Sequence, residues 1–548
     1  MADAAFDAVI VGGGNKGIIT ALYLAAYGGM SVGIFEGRHE LGGAWASDDS
    51  PTPGFIGDSH CASTTLIYLL PLLEDFPDFK EKGGRFVENA VTGATIFVED
   101  QSSFVTYGHS VDPSGERTAK QIAKFSEKDA ETWLKEYQDY WKPGGLREAI
   151  ITDVYNMPPR PGEKSAFEVA TERLSGDPKY SVFYYRQNQN IIQRSRELWE
   201  SIEMRVDKVF GFPRSGRSVL GSMGDMSTMP VGPGEGVTLI GGTHGMAHAV
   251  IRMFLEHGGK FYTKSPVAKI LIENGKATGI RLADGTEVKA SKIVVTNVSP
   301  RQLCFDLVGG EHISPQIMKK VDSFRNVQSC ITWYTWAIHE RVNWKAAEFN
   351  PDVNDAQRFN LAWRDDEYMA REEMMNMLGD FSQERQIIVW GQPSLLDHTR
   401  APEGKHTVCT EQMVPPADAL TERQWMEFKK KNAEQVITAL QRYANNMTWD
   451  NVIGFNPITP YDTAAFSPNF APSGGFAVID NTPSQVGRYR PIPELADHRM
   501  PGIANLYPTG GAWPPEGGGH CCAGYNCYKA IAEDLGLEKP WEKKGRPW

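Results

Sequence analysis

The sequence predicts an α/β protein: a Rossmann-like nucleotide-binding domain opens the chain and is interleaved with a second region of mixed sheet and helices. Three observations predict this. The N-terminus reads strand, glycine-rich turn, helix, strand, the order of a βαβ unit. Helical and strand patterns keep alternating far beyond it with few linkers, which favours interleaved domains over beads on a string. The chain has 548 residues, of which 41% are hydrophobic and 23% charged, an ordinary globular composition too long for a single core.

The first element carries the most information. Val9-Ile10-Val11 is an apolar strand that runs into Gly12-Gly13-Gly14-Asn15-Lys16-Gly17, a G-x-G-x-x-G turn. Gly12 permits the tight turn and Gly14 lets the backbone approach a diphosphate. Gly17 lets the next helix pack on the strand, so that the helix N-terminus faces the phosphate charge. Ile18, Leu22 and Ala25 lie on one face of that helix. The second strand, Ser31 to Phe35, ends at Glu36, 22 residues beyond Gly14. That is close to the ~20-residue offset at which a carboxylate meets ribose hydroxyls. A lone glycine fingerprint is weak evidence, but this one has its strand, helix and acid. The candidate contacts are Gly12, Gly14, Asn15, Lys16, Gly17 and Glu36.

Further along, Phe125 to Tyr140 reads as an amphipathic helix, and Gly211 to Gly236, rich in Gly, Pro, Ser and Met, as a long loop. Gly241 to Gly245 lacks the full fingerprint and reads as the start of a helix, Gly245 to His257, inside the nucleotide domain. Ala268 to Glu273 and Ala277 to Leu282 form a hairpin around Asn274-Gly275, and Asp284-Gly285 turns the chain before a strand at Lys292 to Thr296. Ile331 to Ile338 is a β-branched and aromatic strand, and Gln424 to Asn446 a long helix. The last helix is placed at Tyr525 to Leu535.

Composition excludes several function classes. A net charge of -12 argues against nucleic acid, because phosphate backbones need a concentrated basic surface. No apolar run reaches the ~18 residues of a membrane span, which leaves peripheral contact with the inner face of the membrane open. The start of the chain shows no basic leader or cleavage site, and seven scattered cysteines suit reduced thiols. Both features predict a cytoplasmic protein.

Glu36-Gly37-Arg38 followed by Gly42-Gly43 resembles the FAD-binding glutathione-reductase-like and amine-oxidase-like proteins. The resemblance implies that Gly37, Arg38, Gly42, Gly43 and Ala44 line the path of the cofactor. More of the chain is similar to the phytoene-desaturase-like flavoproteins, which include carotenoid desaturases, carotenoid isomerases and retinol saturases. Gly54-Phe55-Ile56-Gly57-Asp58 matches that family's Gly-Phe-x-x-Asp stretch. Val267 to Ile270 with Asn274 to Ile280 resembles a strand pair whose Val267 equivalent contacts adenine. Pro393 to Thr407 looks like a substrate-domain strand and loop. Leu506 to Gly511 and Pro514 to Gly519 resemble the C-terminal flavin motif, implying contacts from Gly510, Gly511, Gly519, His520 and Cys521. His520-Cys521-Cys522 departs from the family's small apolar run, and Ser110 to Gly232 matches weakly.

The resemblance implies FAD as cofactor and an oxidoreductase that dehydrogenates or desaturates a hydrophobic, isoprenoid-like substrate, such as a carotenoid or terpene. Hydride would pass to flavin N5, and an allylic hydroxylating dehydrogenase fits equally well. Candidate acids or bases are His520, His60 and Glu516, and a structural role, donating to a backbone carbonyl, fits His520 at least as well. Cys521 and Cys522 offer a redox pair or simple packing, while zinc through His520, Cys521, Cys522 and Cys527 lacks ligand spacing. Trp333, Tyr334 and Trp336 could line an apolar tunnel on one strand face only. Met223, Met226 and Met229 read as a lid or a loose loop.

The implied domain plan places the FAD-binding domain at 1–90, 233–310 and 495–548, with the substrate domain at 91–232 and 311–494. With one complete fingerprint in the chain, electrons are expected to leave to a diffusible acceptor: a quinone, oxygen or a carrier protein. A flavin-dependent isomerase or hydratase without net oxidation is the rival reading, and a prenyl-chain escort protein a more distant one.

Overall fold

The computed structural model describes residues 4–61, 64–158, 163–175, 191–214, 234–324, 326–327, 330–381, 388–480, 485, 487–515, 518, 520–546 and 548. Glu516, Gly519, Met223, Met226 and Met229 lie outside the described residues, as does most of the 211–236 stretch.

Two seven-stranded sheets organise the described chain. The first contains β1 (Ala4–Val11), β2 (Val32–Phe35), β10 (Lys260–Tyr262), β11 (Val267–Glu273), β12 (Lys276–Leu282), β13 (Glu287–Asn297) and β19 (Leu506–Thr509). Its parallel part runs β10-β2-β1-β13-β19, so these strands all end on one edge. β13 is long because it does two jobs. Residues Glu287 to Lys289 form an antiparallel pair with β12, whereas Val294 to Asn297 lie between β1 and β19.

Alternation along β1 separates two cores. Ala8 and Ile10 face the helices Asn15–Ala26, His244–Glu256 and Cys522–Leu535. Val9 and Val11 face the other way, into a cluster with Ile280, Val294 and Leu303. All these β1 side chains are almost fully buried, which stabilises the sheet by roughly 1.5–3 kcal/mol per large aliphatic residue.

The second sheet runs β18-β14-β17-β16-β15-β7-β8. Its strands are β7 (Val91–Phe97), β8 (Ser103–Tyr107), β14 (Ile331–Ile338), β15 (Arg358–Ala362), β16 (Ile388–Gly391), β17 (His406–Met413) and β18 (Val452–Ile458). The helix Glu422–Leu440 begins with a capping box at Thr421 and Gln424 and covers one face. Two small sheets complete the description: β3 (Ser47–Thr52) with β4 (Phe55–Asp58), and β5 (Thr64–Thr65), β6 (Phe86–Glu88) and β9 (Gly236–Leu239).

β14 corrects the tunnel expectation. Tyr334 and Trp336 stack on each other and pack with the covering helix, while Trp333 turns its indole to Thr335 Oγ1 on the opposite face. Thr335 is pressed against β4, where a Cβ on Gly57 would lie 2.6 Å from Thr335 Cγ2. These aromatics are core residues because both faces of the strand are covered. A second difference concerns residues 211–214, which finish the helix Ile202–Arg214 instead of starting a loop. Among the described residues no helix is long and apolar enough to cross a membrane.

Candidate functional site

The parallel strands end together, and their turns build one wall. β1 is followed by Gly12 to Gly14, β2 by Glu36 to Arg38, β13 by Val298 and β19 by Gly510-Gly511. Open α/β sheets bind ligands at this carboxyl edge. A cavity of about 400 Å³ lies there, bordered by Gly12, Gly14, Asn15, Lys16, Glu36, Gly37, Arg38, Gly43, Ala44, Val267 and Gly511. Ten of the sequence-derived candidates named there come from four separate stretches, and Val267 adds a fifth.

The glycines leave no room for side chains. A Cβ on Gly12, whose φ is +90°, would lie 2.8 Å from Asn297 O, and one on Gly14 2.6 Å from Asn297 Nδ2. Gly17 sits against Gly12 O, where a Cβ would come to 2.4 Å. Gly42 and Gly43 cross Gly14 closely: Gly42 N donates to Gly13 O at 2.8 Å. Glu36 holds this turn in shape. Its Oε2 accepts from Gly13 N at 2.7 Å and its Oε1 from Arg38 N at 2.8 Å. Each carboxylate oxygen retains a lone pair for a ligand hydroxyl.

The opposite wall is aromatic and was not read from the sequence. Phe466, Phe470 and Phe476 border the cavity with Pro468 and Val478. The Arg38 guanidinium lies 3.3 Å over the Phe466 ring, and His60 meets that ring edge-on at 4.3 Å. Among the described residues Arg38 Nη1 is buried without a hydrogen-bond partner, so its stacked guanidinium keeps a donor in hand. Burial, and then the Arg38 charge, lower the His60 imidazole to about 4. A neutral imidazole therefore borders the cavity at neutral pH. The local signal, three phenylalanines within the Gly/Pro-rich 460–478 stretch, is faint. Asn297 carries none beyond its place at a strand end.

His520 and Cys521 do not border the cavity. His520 is fully buried, with its ring 5.1 Å from that of Tyr68 and its carbonyl accepting from Asn15 Nδ2 at 3.3 Å. Cys521 donates to Tyr68 O at 2.6 Å, and burial pushes its thiol up to about 12. Gly510, with φ +134°, approaches Asn297 and shapes the wall from behind.

The residues fit a dinucleotide. A Cβ-free cradle faces the first helix N-terminus, a strand-end carboxylate has free lone pairs, and a guanidinium has an unspent donor. Comparison with known proteins bears on which kind. No protein-family model matches the chain. A rat protein named pyridine nucleotide-disulfide oxidoreductase domain-containing protein 2 is 24% identical, covering 97% of this chain and 94% of its own. A limonene dehydrogenase polypeptide of Castellaniella defragrans is 22% identical over 98% of this chain and 96% of its own. Prolycopene isomerase of Arabidopsis thaliana is 25% identical over 55% of this chain and 46% of its own. The chain is a relative of the phytoene-desaturase-like oxidoreductases. Among solved structures, an oxidoreductase from Methanosarcina mazei superposes with a TM-score of 0.58 at 15% identity, covering 96% of this chain and 99% of that one. Putrescine oxidase bound to putrescine gives 0.58 at 14% identity over 97% and 99%. These likenesses establish the amine-oxidase-like fold. The families concerned are oxidoreductases and typically flavin-dependent.

Proposed function

We propose that the chain is an FAD-dependent oxidoreductase that dehydrogenates or desaturates a hydrophobic, isoprenoid-like substrate. One observation carries this reading: a single cavity joins the glycine cradle and Glu36 to a wall of phenylalanines and a neutral imidazole. FAD held there supplies a two-electron acceptor for a hydride leaving a substrate carbon. The protein's own part is placement. The turn at Gly12 to Gly14 admits the diphosphate, Glu36 accepts from ribose hydroxyls, and Arg38 turns its unspent donor to the same ligand. Phe466, Phe470 and Phe476 exclude water and favour an apolar substrate. His60, neutral above about pH 4, is a proton acceptor at the cavity wall.

The test begins with the absorbance spectrum of purified protein, which should be that of bound FAD. Anaerobic addition of monoterpenes or acyclic carotenoid precursors should then bleach it. Gly14→Val should yield folded protein without flavin, because the added side chain meets Asn297. A yellow, fully loaded Gly14→Val protein would exclude this cradle. The likeness to prolycopene isomerases supports a second reading, isomerisation without net oxidation. Product formed with no acceptor consumed would select it.

A further inference from the structure

Lys16 is not accounted for by the glycine fingerprint, which asks nothing of that position beyond the helical turn. It lies in the first turn of the helix Asn15–Ala26, is only 3% exposed and borders the cavity. Its Nζ donates to Gly518 O, just as its neighbour Asn15 reaches His520 O. An ammonium has three donors, and one carbonyl uses one of them. Among the described residues, the titratable groups that act on it most strongly are Cys61, Cys522, Cys521 and Arg490. Burial lowers the ammonium to about 8, so it still carries its charge at neutral pH.

The backbone adds to that charge. The helices Asn15–Ala26 and Cys522–Leu535 cross at their N-terminal turns, where a Cβ on Gly524 would lie 2.4 Å from Lys16 O. Each N-terminus carries a partial positive charge. The Lys16 ammonium and the N-terminus of its own helix thus place positive charge at the wall that carries the glycine cradle, and a buried charge is costly unless something pairs with it. A diphosphate in the cradle would supply that partner.

We propose that Lys16 is a second cationic contact, beside Arg38, for the diphosphate of the bound dinucleotide. The proposal rests on the FAD reading and goes beyond it. It assigns to this chain a charge pair matched to a dianionic diphosphate, with Lys16 pinned in place by the Gly518 carbonyl.

The test titrates flavin-free protein with ADP, FAD and adenosine by calorimetry, using the parent, Lys16→Gln and Lys16→Arg. The parent should prefer ADP to adenosine. Lys16→Gln should weaken ADP and FAD by about tenfold or more, leave adenosine unchanged, and be largely restored in Lys16→Arg. If Lys16→Gln does not fold, Lys16→Met, which keeps the aliphatic stem, takes its place. Parent-like ADP binding in the neutral variant overturns the proposal. So does an equal loss of ADP and adenosine, which marks Lys16 as a structural tie only. A parent that binds neither ADP nor FAD instead refutes the dinucleotide reading itself, and this inference falls with it.

Discussion

Arg400 Nη1 donates to Asp58 Oδ2 across 2.7 Å in a fully buried pair. The same guanidinium donates from Nε to Asp397 Oδ2 at 2.9 Å and from Nη2 to Leu239 O at 3.1 Å. Asp58 Oδ1 in turn accepts from Ser47 Oγ at 2.6 Å and Thr243 N at 2.9 Å. The Arg400–Asp58 pair therefore ties β4, β9, the start of the helix His244–Glu256 and the loop before β17. Two residues beyond Asp58, the chain presents His60 to the cavity.

This node should be a stability determinant. Arg400→Met leaves two buried carboxylates without their cation, and removing one partner of a buried pair costs about 3–5 kcal/mol. Denaturant unfolding should show that loss in the midpoint at an unchanged slope. A loss below about 1 kcal/mol would mean that water or rearrangement replaces the guanidinium.

Glu36 should matter for affinity more than for chemistry. Glu36→Ala removes the acceptors for two ligand hydroxyls, each charge-assisted bond contributing about 1.5–3 kcal/mol, and frees Gly13 N and Arg38 N as well. FAD affinity should fall at least tenfold, while the turnover of the loaded fraction stays near that of the parent. Titration of flavin-free protein measures the first, and activity per bound flavin the second. Parent-like affinity would remove Glu36 from the site.

These residues also show how far the sequence was legible. The cradle could be read because its requirements are local: a turn without Cβ atoms, a helix directly after it, an acid at the next strand end. The sequence predicts this strand at Lys292 to Thr296, the apolar half of β13, whereas the strand begins at Glu287. Its first half alternates exposed Glu287, Lys289 and Ser291 with buried residues, a pattern too polar to stand out. Asn15 and Lys16 could be placed on the first helix, but not their bonds to residues 518–520, since pairing across 500 positions leaves no local trace. The same holds for Arg400, which as a sequence is one more charge in a polar loop. Trp333, Tyr334 and Trp336 misled because an aromatic strand looks the same whether it lines a cavity or a core.

The histidines predict a pH window. Burial lowers both His60 and His498 to about 4, from an ordinary value of 6.5. Between these values the unfolded chain binds protons that the folded chain does not, so stability should rise with pH from about 4 to 6.5 and then level off. His60→Gln should reduce that slope and leave the part belonging to His498. Unfolding free energies measured across this range, with and without the substitution, provide the check. Identical slopes in parent and variant would place the His60 imidazole in contact with solvent.

The last prediction concerns where electrons go. A nicotinamide dinucleotide would need its own diphosphate cradle, and the second glycine cluster, Gly241 to Gly245, is the segment that most resembles one. Its amide donors at Gly241, Thr243, His244 and Gly245 are already spent. Gly241 N donates to Asp397 Oδ2 at 2.7 Å, Thr243 N to Asp58 Oδ1 at 2.9 Å and His244 N to Ser47 Oγ at 3.1 Å. Two carboxylates therefore occupy the helix start where a phosphate would have to sit, and their charge repels one. The dithionite-reduced holoenzyme should accordingly pass electrons to a soluble quinone, oxygen or a carrier protein, and not to NAD or NADP. Anaerobic mixing with each acceptor in turn, followed by absorbance, decides it. Rapid reoxidation by either nicotinamide with none by the quinone would show that a dinucleotide reaches the active centre by another route.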